Sequence, residues 1–326
     1  MWGYFLRRVL WLVFVLLVIA ALTYVIYFVL PPENPALLFV GKAPTPTVIA
    51  QVERNLGLDR PIWEQYLLFV KHLFFGDRYG WPGLGYSYVS HAPVRTLLGG
   101  RILVTMSLAV GGVLLWLFMG VSIGVLSAVR HRSLADRISM GFALFFVSAP
   151  VFWLGLVFLW LFTYKLGIAA GTGYESPGTY GLFGWLNHMI MPWIVLALLY
   201  GAWYARMIRG SMLGVLGEEF IRTARAKGMT ERRLILRHAL RASLTPTVTM
   251  LGMDLAGLVS GTVIVEQVFN LQGIGQLAIQ SVFTGDGPVV LAVTLLASFA
   301  VVMANLLVDI LYAFLDPRVR YGGTKD

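Results

Sequence analysis

The chain has 326 residues, of which 58% are hydrophobic and only 13% are charged. A soluble domain of this length has too little interior to bury so much apolar surface, so the composition indicates a protein that faces lipid. The formal charge of +9 is compatible with nucleic-acid binding, but in so apolar a chain it is typical of cytoplasmic loops. The absence of cysteine excludes disulfides, thiolate nucleophiles and cysteine-bound metals.

Four apolar segments contain no Asp, Glu, Lys or Arg and reach the length of about 20 residues that a helix needs to cross a bilayer. They are residues 9–30, 102–129, 138–164 and 288–308. The first segment follows two arginines, as a signal peptide would. Its apolar stretch is too long for a signal peptide, and we interpret it as a retained anchor helix.

The positions of the basic residues predict the topology. Seventeen of the 25 Lys and Arg residues fall in four clusters, at residues 7–8, 130–137, 206–241 and 318–325. Because basic residues accumulate in cytoplasmic loops, both termini are predicted to be cytoplasmic, which requires an even number of spans. Two weaker apolar segments, 186–208 and 245–267, then complete an all-α integral membrane protein with six transmembrane helices.

The segment after the first span is predicted to form a small helical extracytoplasmic cap. It begins with a proline-rich stretch at Pro31–Pro35, passes an amphipathic stretch at Thr47–Leu56, and continues from Pro61 to Phe75. The chain is therefore divided into residues 1–30 with the first helix, the extracytoplasmic segment 31–100, a five-helix domain 101–316 that includes a cytoplasmic loop at 210–245, and a cytoplasmic tail 317–326.

The cytoplasmic loop carries the most informative pattern. Acidic residues precede a short polar stretch, Gly228 can end a helix in a left-handed conformation, and Thr230 can begin a second helix. Small residues at Ala224 and Ala226 allow a second protein to approach the backbone closely. Composition alone favours an ordinary positively charged loop, and it is the order of the residues that favours a docking site.

The residues of this cytoplasmic loop also resemble those of a known protein family. The run Arg222-Thr223-Ala224-Arg225-Ala226-Lys227-Gly228, followed by Arg237-His238-Ala239-Leu240-Arg241, resembles the cytoplasmic loop of ABC importer permeases of the dipeptide, oligopeptide and nickel branch. Similar stretches occur along nearly the whole chain, including Ser148–Gly155, Glu266–Phe269 and Asn305–Asp309. Two features depart from the family: the segment between Asp77 and Pro93 is longer, and Asp254 stands where such permeases are apolar or glycine-rich.

The resemblance implies a type I ABC importer permease in the bacterial inner membrane, working with a related second permease, two cytoplasmic ATPases and an extracytoplasmic substrate-binding protein. It implies no enzyme activity, no cofactor and no nucleic-acid partner for this chain. ATP and Mg²⁺ would be bound by the ATPases, and the sequence accordingly has no G-x-x-x-x-G-K-[ST] phosphate loop. The residues it implies for coupling to the ATPases are Glu219, Arg222, Thr223, Ala224, Arg225, Ala226, Lys227, Gly228, Arg237 and His238.

Four polar residues within or beside the predicted spans are candidates for the translocation path: Asp254, Glu266, Asn305 and Asp309. Ionisable groups in hydrocarbon are costly and normally face a partner or a water-filled path. Asp254 either meets a substrate ammonium group or pairs two helices. For Glu266 and Asp309 we expect structural pairing, for instance with Arg206.

Other functions remain as alternatives. Gly120-Val121-Ser122-Ile123-Gly124 matches the G-x-S-x-G pattern of hydrolases, but within an apolar helix two glycines four apart are more typical of close helix packing. No H-E-x-x-H motif is present, and metal binding is not expected, although His188 would be the residue to inspect in a nickel importer. The substrate is predicted to be a di- or oligopeptide, with nickel, glutathione and oligosaccharide as alternatives.

Overall fold

The computed structural model describes residues 2–30, 36–37, 40, 45–57, 60–87 and 89–315. Its elements in chain order are α1 (Trp2–Tyr24, continued as a π-helical turn over Val25–Val29), α2 (Pro46–Leu56), α3 (Ile62–Phe75), β1 (Tyr86–Ser87), β2 (Ala92–Pro93), α4 (Val94–Val129), α5 (Leu134–Ser148), α6 (Val151–Phe158, continued as a π-helix over Leu159–Lys165), α7 (Pro177–Leu216), α8 (Glu219–Ala226), α9 (Glu231–Arg233, followed by a π-helical turn over Leu234–Ala239), α10 (Leu240–Ser243), α11 (Thr245–Val268), α12 (Ile274–Thr284) and α13 (Gly287–Leu315). The proline-rich stretch at residues 31–35 and the tail at residues 317–326 lie outside the described residues.

The fold is helical, as predicted, apart from one antiparallel pair of two-residue strands, β1 and β2. Among the described residues, three helical stretches are long and apolar enough to cross a membrane: Val94–Val129, Pro177–Leu216 and Gly287–Leu306. The bent pair Leu134–Ser148 and Val151–Lys165 qualifies as a fourth, and Leu10–Tyr24 is apolar but shorter. The six-span count stays a prediction.

The predicted third span is not one continuous helix. The chain bends by 107° between α5 and α6. Ala149 is extended, with ψ of 131°, and Pro150 precedes the first residue of α6. A proline has no backbone N–H and disfavours the helical conformation in the residue before it, so the apolar run 138–164 is divided at the Ala149–Pro150 pair.

The chain forms two compact units, of which the first comprises the residues up to Thr105 together with Gln272–Met303. In it, α1 packs on α3, where the Tyr24 hydroxyl donates a hydrogen bond of 2.7 Å to Gln65 Oε1. The predicted helical cap corresponds to α2 and α3.

A separate apolar core in this unit joins the first turns of α4 to α12 and α13. Its buried members are Val94, Leu98, Ile274, Leu277, Val289, Ala292 and Val293.

The second unit comprises Met106–Leu271 and the chain from Ala304 onward. Its central element is α7, which packs against α5, α6 and α11. Trp116 from α4 and Tyr204 from α7 are both fully buried in its core, with ring centroids 6.2 Å apart. The same core continues along α7 to Met212 and includes Ile221 of α8, so it joins the apolar helices to the polar loop that follows them.

Candidate coupling surface and membrane site

The loop after α7 folds as a helical hairpin, which confirms the predicted helix, turn and second helix. Glu219 lies in the first turn of α8 and Arg225 in the last, an arrangement that favours the helix dipole. Gly228 has φ of +78°, in the left-handed region that glycine adopts without a steric penalty. Thr230 is extended and precedes the first residue of α9, although its side chain makes no capping hydrogen bond.

Most of the predicted coupling residues form an exposed polar surface. The exposed members are Glu219, Arg222, Thr223, Arg225, Ala226, Lys227, Gly228 and Arg237, whereas Ala224 and His238 are half-buried. Ala224 packs against the core of the second unit. The small residues that are exposed on this surface are therefore Ala226 and Gly228. We call the exposed members the coupling surface.

An ion pair that the sequence did not assign connects the two helices of the hairpin. Arg225 Nε donates a hydrogen bond of 2.6 Å to Glu231 Oε1, and Arg225 Nη2 donates one of 3.2 Å to Glu231 Oε2. This contact lowers the pKa of the Glu231 carboxyl below its ordinary value. The residue types allow such a pair, but only the left-handed turn at Gly228 brings them together.

The one fully buried side chain of α8 packs it against the rest of the unit. Ile221 is fully buried, in the same cluster as Ile208 and Met212 of α7 and Leu234 beyond α9. Full burial of an isoleucine stabilises by about 1.5–3 kcal/mol. Ile221 thus packs α8 against α7, while Glu219 and Arg222 on the same helix stay exposed.

Asp254 has a defined partner in the membrane domain. The Tyr204 hydroxyl donates a hydrogen bond of 2.8 Å to Asp254 Oδ2, and this contact joins α7 to α11. Asp254 is half-buried. The contact supports the helix-pairing role and leaves part of the carboxylate accessible.

The other path candidates occupy different environments. Glu266 is fully buried near the end of α11, and Asn305 is exposed on α13. The side chain of Asp309 lies outside the described part of the chain. Arg206, the partner considered for Glu266 and Asp309, places its guanidinium over the Trp203 ring, 4.4 Å from the centroid.

The G-x-S-x-G match lies inside a continuous helix and lacks the strand-to-helix turn that a nucleophilic serine requires. A Cβ atom on Gly120 would lie 2.5 Å from Tyr204 Cβ, and one on Gly124 would lie 2.8 Å from the Ala205 carbonyl oxygen. The two glycines therefore allow close packing of α4 on α7, as predicted, and Ser122 is an exposed residue of α4.

No group of three or more His, Asp or Glu side chains within the described residues is arranged to hold a metal ion. His188 Nδ1 lies 3.1 Å from the Gly184 carbonyl oxygen and 3.5 Å from a carboxylate oxygen of Glu175. These local contacts are typical of a structural histidine.

Comparison with known proteins supports what the loop and the helices indicate. A family model described as the binding-protein-dependent transport system inner membrane component matches residues 120–321, and the N-terminal model of the same transport systems matches residues 1–109. The chain belongs to this permease family. Together the two matches extend over both units and include the coupling surface.

Several permease relatives are similar over almost their full length. The glutathione transport system permease protein GsiC of Pectobacterium atrosepticum is 37% identical, over 98% of this chain and 100% of the relative. The dipeptide transport system permease protein DppB of Alkalihalophilus pseudofirmus is 34% identical, with the same coverage. A putative peptide transport system permease protein of Brucella abortus is 37% identical, over 97% of this chain and 98% of the relative.

A solved structure supports the permease fold. A chain of the MetNI methionine ABC transporter, in inward-facing conformations, superposes with a TM-score of 0.56 at 20% identity. The match covers 69% of this permease and 98% of the MetNI chain.

Proposed function

We propose that this permease forms half of the pathway through which an ABC importer carries small peptides, including glutathione-like tripeptides, across the inner membrane. ATP is hydrolysed on separate cytoplasmic subunits that bind the coupling surface. A related second permease completes the pathway, and an extracytoplasmic binding protein delivers the solute. Both termini lie in the cytoplasm, with the coupling surface on the same side.

The observation that carries this proposal is the construction of α8. Its exposed residues include Glu219, Arg222 and the small Ala226, with Gly228 exposed in the turn that follows, whereas Ile221 is buried and packs α8 on α7. A surface of this kind is suited to reversible docking, because charged groups around small residues steer a partner without forming an apolar patch. The rigid anchor then converts docking into movement of α7.

The peptide substrate is supported by the named functions of the relatives and by the polar group at Asp254. A half-buried carboxylate with one hydrogen bond to Tyr204 retains acceptor capacity for an ammonium group. Zwitterionic peptides with a free amino terminus provide such a group. An uncharged oligosaccharide does not.

The decisive experiment is purification of the complex from native membranes, followed by mass spectrometry of the co-purifying chains and of the solute held by the binding protein. We expect an ATPase, a second permease and a small peptide. An intact preparation without an ATPase would contradict the proposal.

Substitution at the coupling surface locates the ATPase contact. Ala226→Trp places a large side chain on the exposed face and is expected to reduce the amount of co-purifying ATPase. The matched control is Leu134→Trp at the first residue of α5, where the side chain is 74% exposed and the replacement is also apolar. Equal ATPase recovery from both variants would place the docking site elsewhere.

A further inference from the structure

A buried carboxylate lies close to the predicted cytoplasmic end of the membrane domain. Asp136 is in the first turn of α5 and is only 3% exposed. Arg209 Nε donates a hydrogen bond of 2.6 Å to Oδ1 of Asp136, and Arg209 Nη2 donates one of 2.8 Å to Oδ2. We call Asp136, Arg209 and the groups that contact them the Asp136 cluster.

Two further donors complete the cluster. The Ser127 hydroxyl donates to Oδ1 of Asp136, and the backbone N–H of Arg132 donates a bond of 2.9 Å to Oδ2. His131 Nδ1 lies 3.2 Å from Arg209 Nη2. One side chain thus contacts the end of α4, the turn between α4 and α5, and α7.

The cluster is a strongly interacting unit. The Asp136 carboxylate accepts from two guanidinium nitrogens of Arg209, from the Ser127 hydroxyl and from the Arg132 backbone N–H. A bidentate contact between guanidinium and carboxylate also fixes the relative orientation of the two groups. Arg132 has φ of +64°, a conformation that L-residues rarely adopt, and its N–H is held by the same carboxylate.

The position of Arg209 connects the cluster to α8. Arg209 lies about two helical turns before the end of α7 at Leu216, and α8 begins at Glu219. Between them, Ile221 of α8 packs in one cluster with Ile208 and Met212 of α7. The α7 helix, which carries Ile208, Arg209 and Met212, therefore connects the packing of Ile221 on α8 to the ion pair with Asp136.

We propose that Asp136 and Arg209 are positioning residues that carry the movement of α8 to α4 and α5, so that ATP hydrolysis on the partner subunits is converted into solute movement. The inference rests on the proposed function and assigns a transmission role to residues outside the coupling loop. Packed side chains, hydrogen-bond networks and rigid helices with discrete arrangements can carry coupling between distant sites. The exposed Arg225–Glu231 pair, half or more open to solvent on both sides, connects only α8 and α9.

The test uses the complete complex reconstituted in liposomes with its binding protein, and measures ATP hydrolysed per solute molecule imported. Asp136→Asn and Arg209→Gln are expected to raise this ratio by about fivefold or more, the lower end of ordinary coupling between sites. The double variant is expected to hydrolyse no more ATP per imported solute molecule than either single variant, because the two residues form one ion pair. The control is Arg137→Gln, the exposed neighbour of Asp136, which should leave the ratio unchanged.

A merely structural role gives a different result. Import and ATP hydrolysis would then fall by the same factor, the ratio would stay constant, and the inference would be overturned. If the complex with Asp136→Asn does not assemble, Arg209→Lys is measured instead. This variant keeps the positive charge but loses the bidentate geometry of the guanidinium. It should raise the ratio less than Arg209→Gln does, and an unchanged ratio would equally overturn the inference. The proposed function is tested separately, by import through the wild-type complex with its co-purified ATPase, and a negative result with these variants would not contradict it.

Discussion

The close contact between α4 and α7 gives the most quantitative prediction. Replacing Gly120 by Ala adds one methyl group, whose carbon would lie 2.5 Å from Tyr204 Cβ and 3.2 Å from the Gly201 carbonyl oxygen. Two carbon atoms are at optimal separation at about 3.5–4.0 Å. The obstructing atom is a Cβ attached to the α7 backbone, so relief requires the two helices to move apart.

The magnitude follows from a comparison with a second glycine. Overpacking of this kind costs about 1–3 kcal/mol. Both Gly120→Ala and Gly141→Ala gain up to about 1 kcal/mol of helix propensity, since both residues are helical. No atom lies within 4 Å of a Cβ on Gly141, in α5. The difference between the two variants is therefore the steric cost, about 1–3 kcal/mol of unfolding free energy.

The assay is equilibrium unfolding of the purified permease in mixed detergent, with both variants measured beside the wild type. We expect Gly120→Ala to unfold more easily than Gly141→Ala by that difference, and Gly141→Ala to match or exceed the wild type. Equal unfolding free energies for the two variants would refute the inferred contact between α4 and α7.

Three further predictions concern the polar groups. Asp254→Asn is expected to reduce uptake of peptides with a free amino terminus more than uptake of N-acetylated peptides, with ATPase co-purification unchanged. Equal loss for both would remove Asp254 from the path. Glu231→Gln is expected to speed amide hydrogen exchange in α8 a few-fold. Because the folded-state pKa of Glu231 is lowered, the wild-type contact is present above the unfolded pKa and is lost as pH falls through the folded value. The few-fold difference in protection between wild type and variant should therefore be present at neutral pH and vanish in acid. Unchanged exchange in the variant would show that the ion pair does not hold the hairpin. Ser122→Ala should leave uptake at the wild-type rate, and loss of uptake with normal assembly would reopen the hydrolase alternative.

The sequence predicted those features whose causes lie within a few neighbouring residues. The hairpin of α8 and α9 follows from first-turn acids, Gly228 and Thr230, all within a dozen residues. The packing of Gly120 and Gly124 follows from their spacing of four on a helix. Uncharged apolar runs likewise located α4 and α13, because exclusion of charge from hydrocarbon acts on each segment separately.

Features that depend on distant pairing could not be predicted. Asp136 pairs with Arg209, 73 positions later, and Tyr204 pairs with Asp254, 50 positions later. Nothing in either local pattern specifies which helix faces carry these residues. The division of the third span could have been predicted, because Pro150 is present in the sequence. The uncharged apolar run 138–164 instead indicated one continuous helix.

The central claim is that partner ATPases drive this permease through the exposed face of α8. The chain contains no cysteine, so a purified single-cysteine variant can be labelled at one position before the complex is assembled with its partners. With a short thiol-reactive photo-crosslinker on the assembled complex, Ala226→Cys is expected to become joined to the ATPase subunit, and Leu134→Cys is not. A cross-link from Leu134→Cys but not from Ala226→Cys, in a complex that still imports solute, would contradict the account.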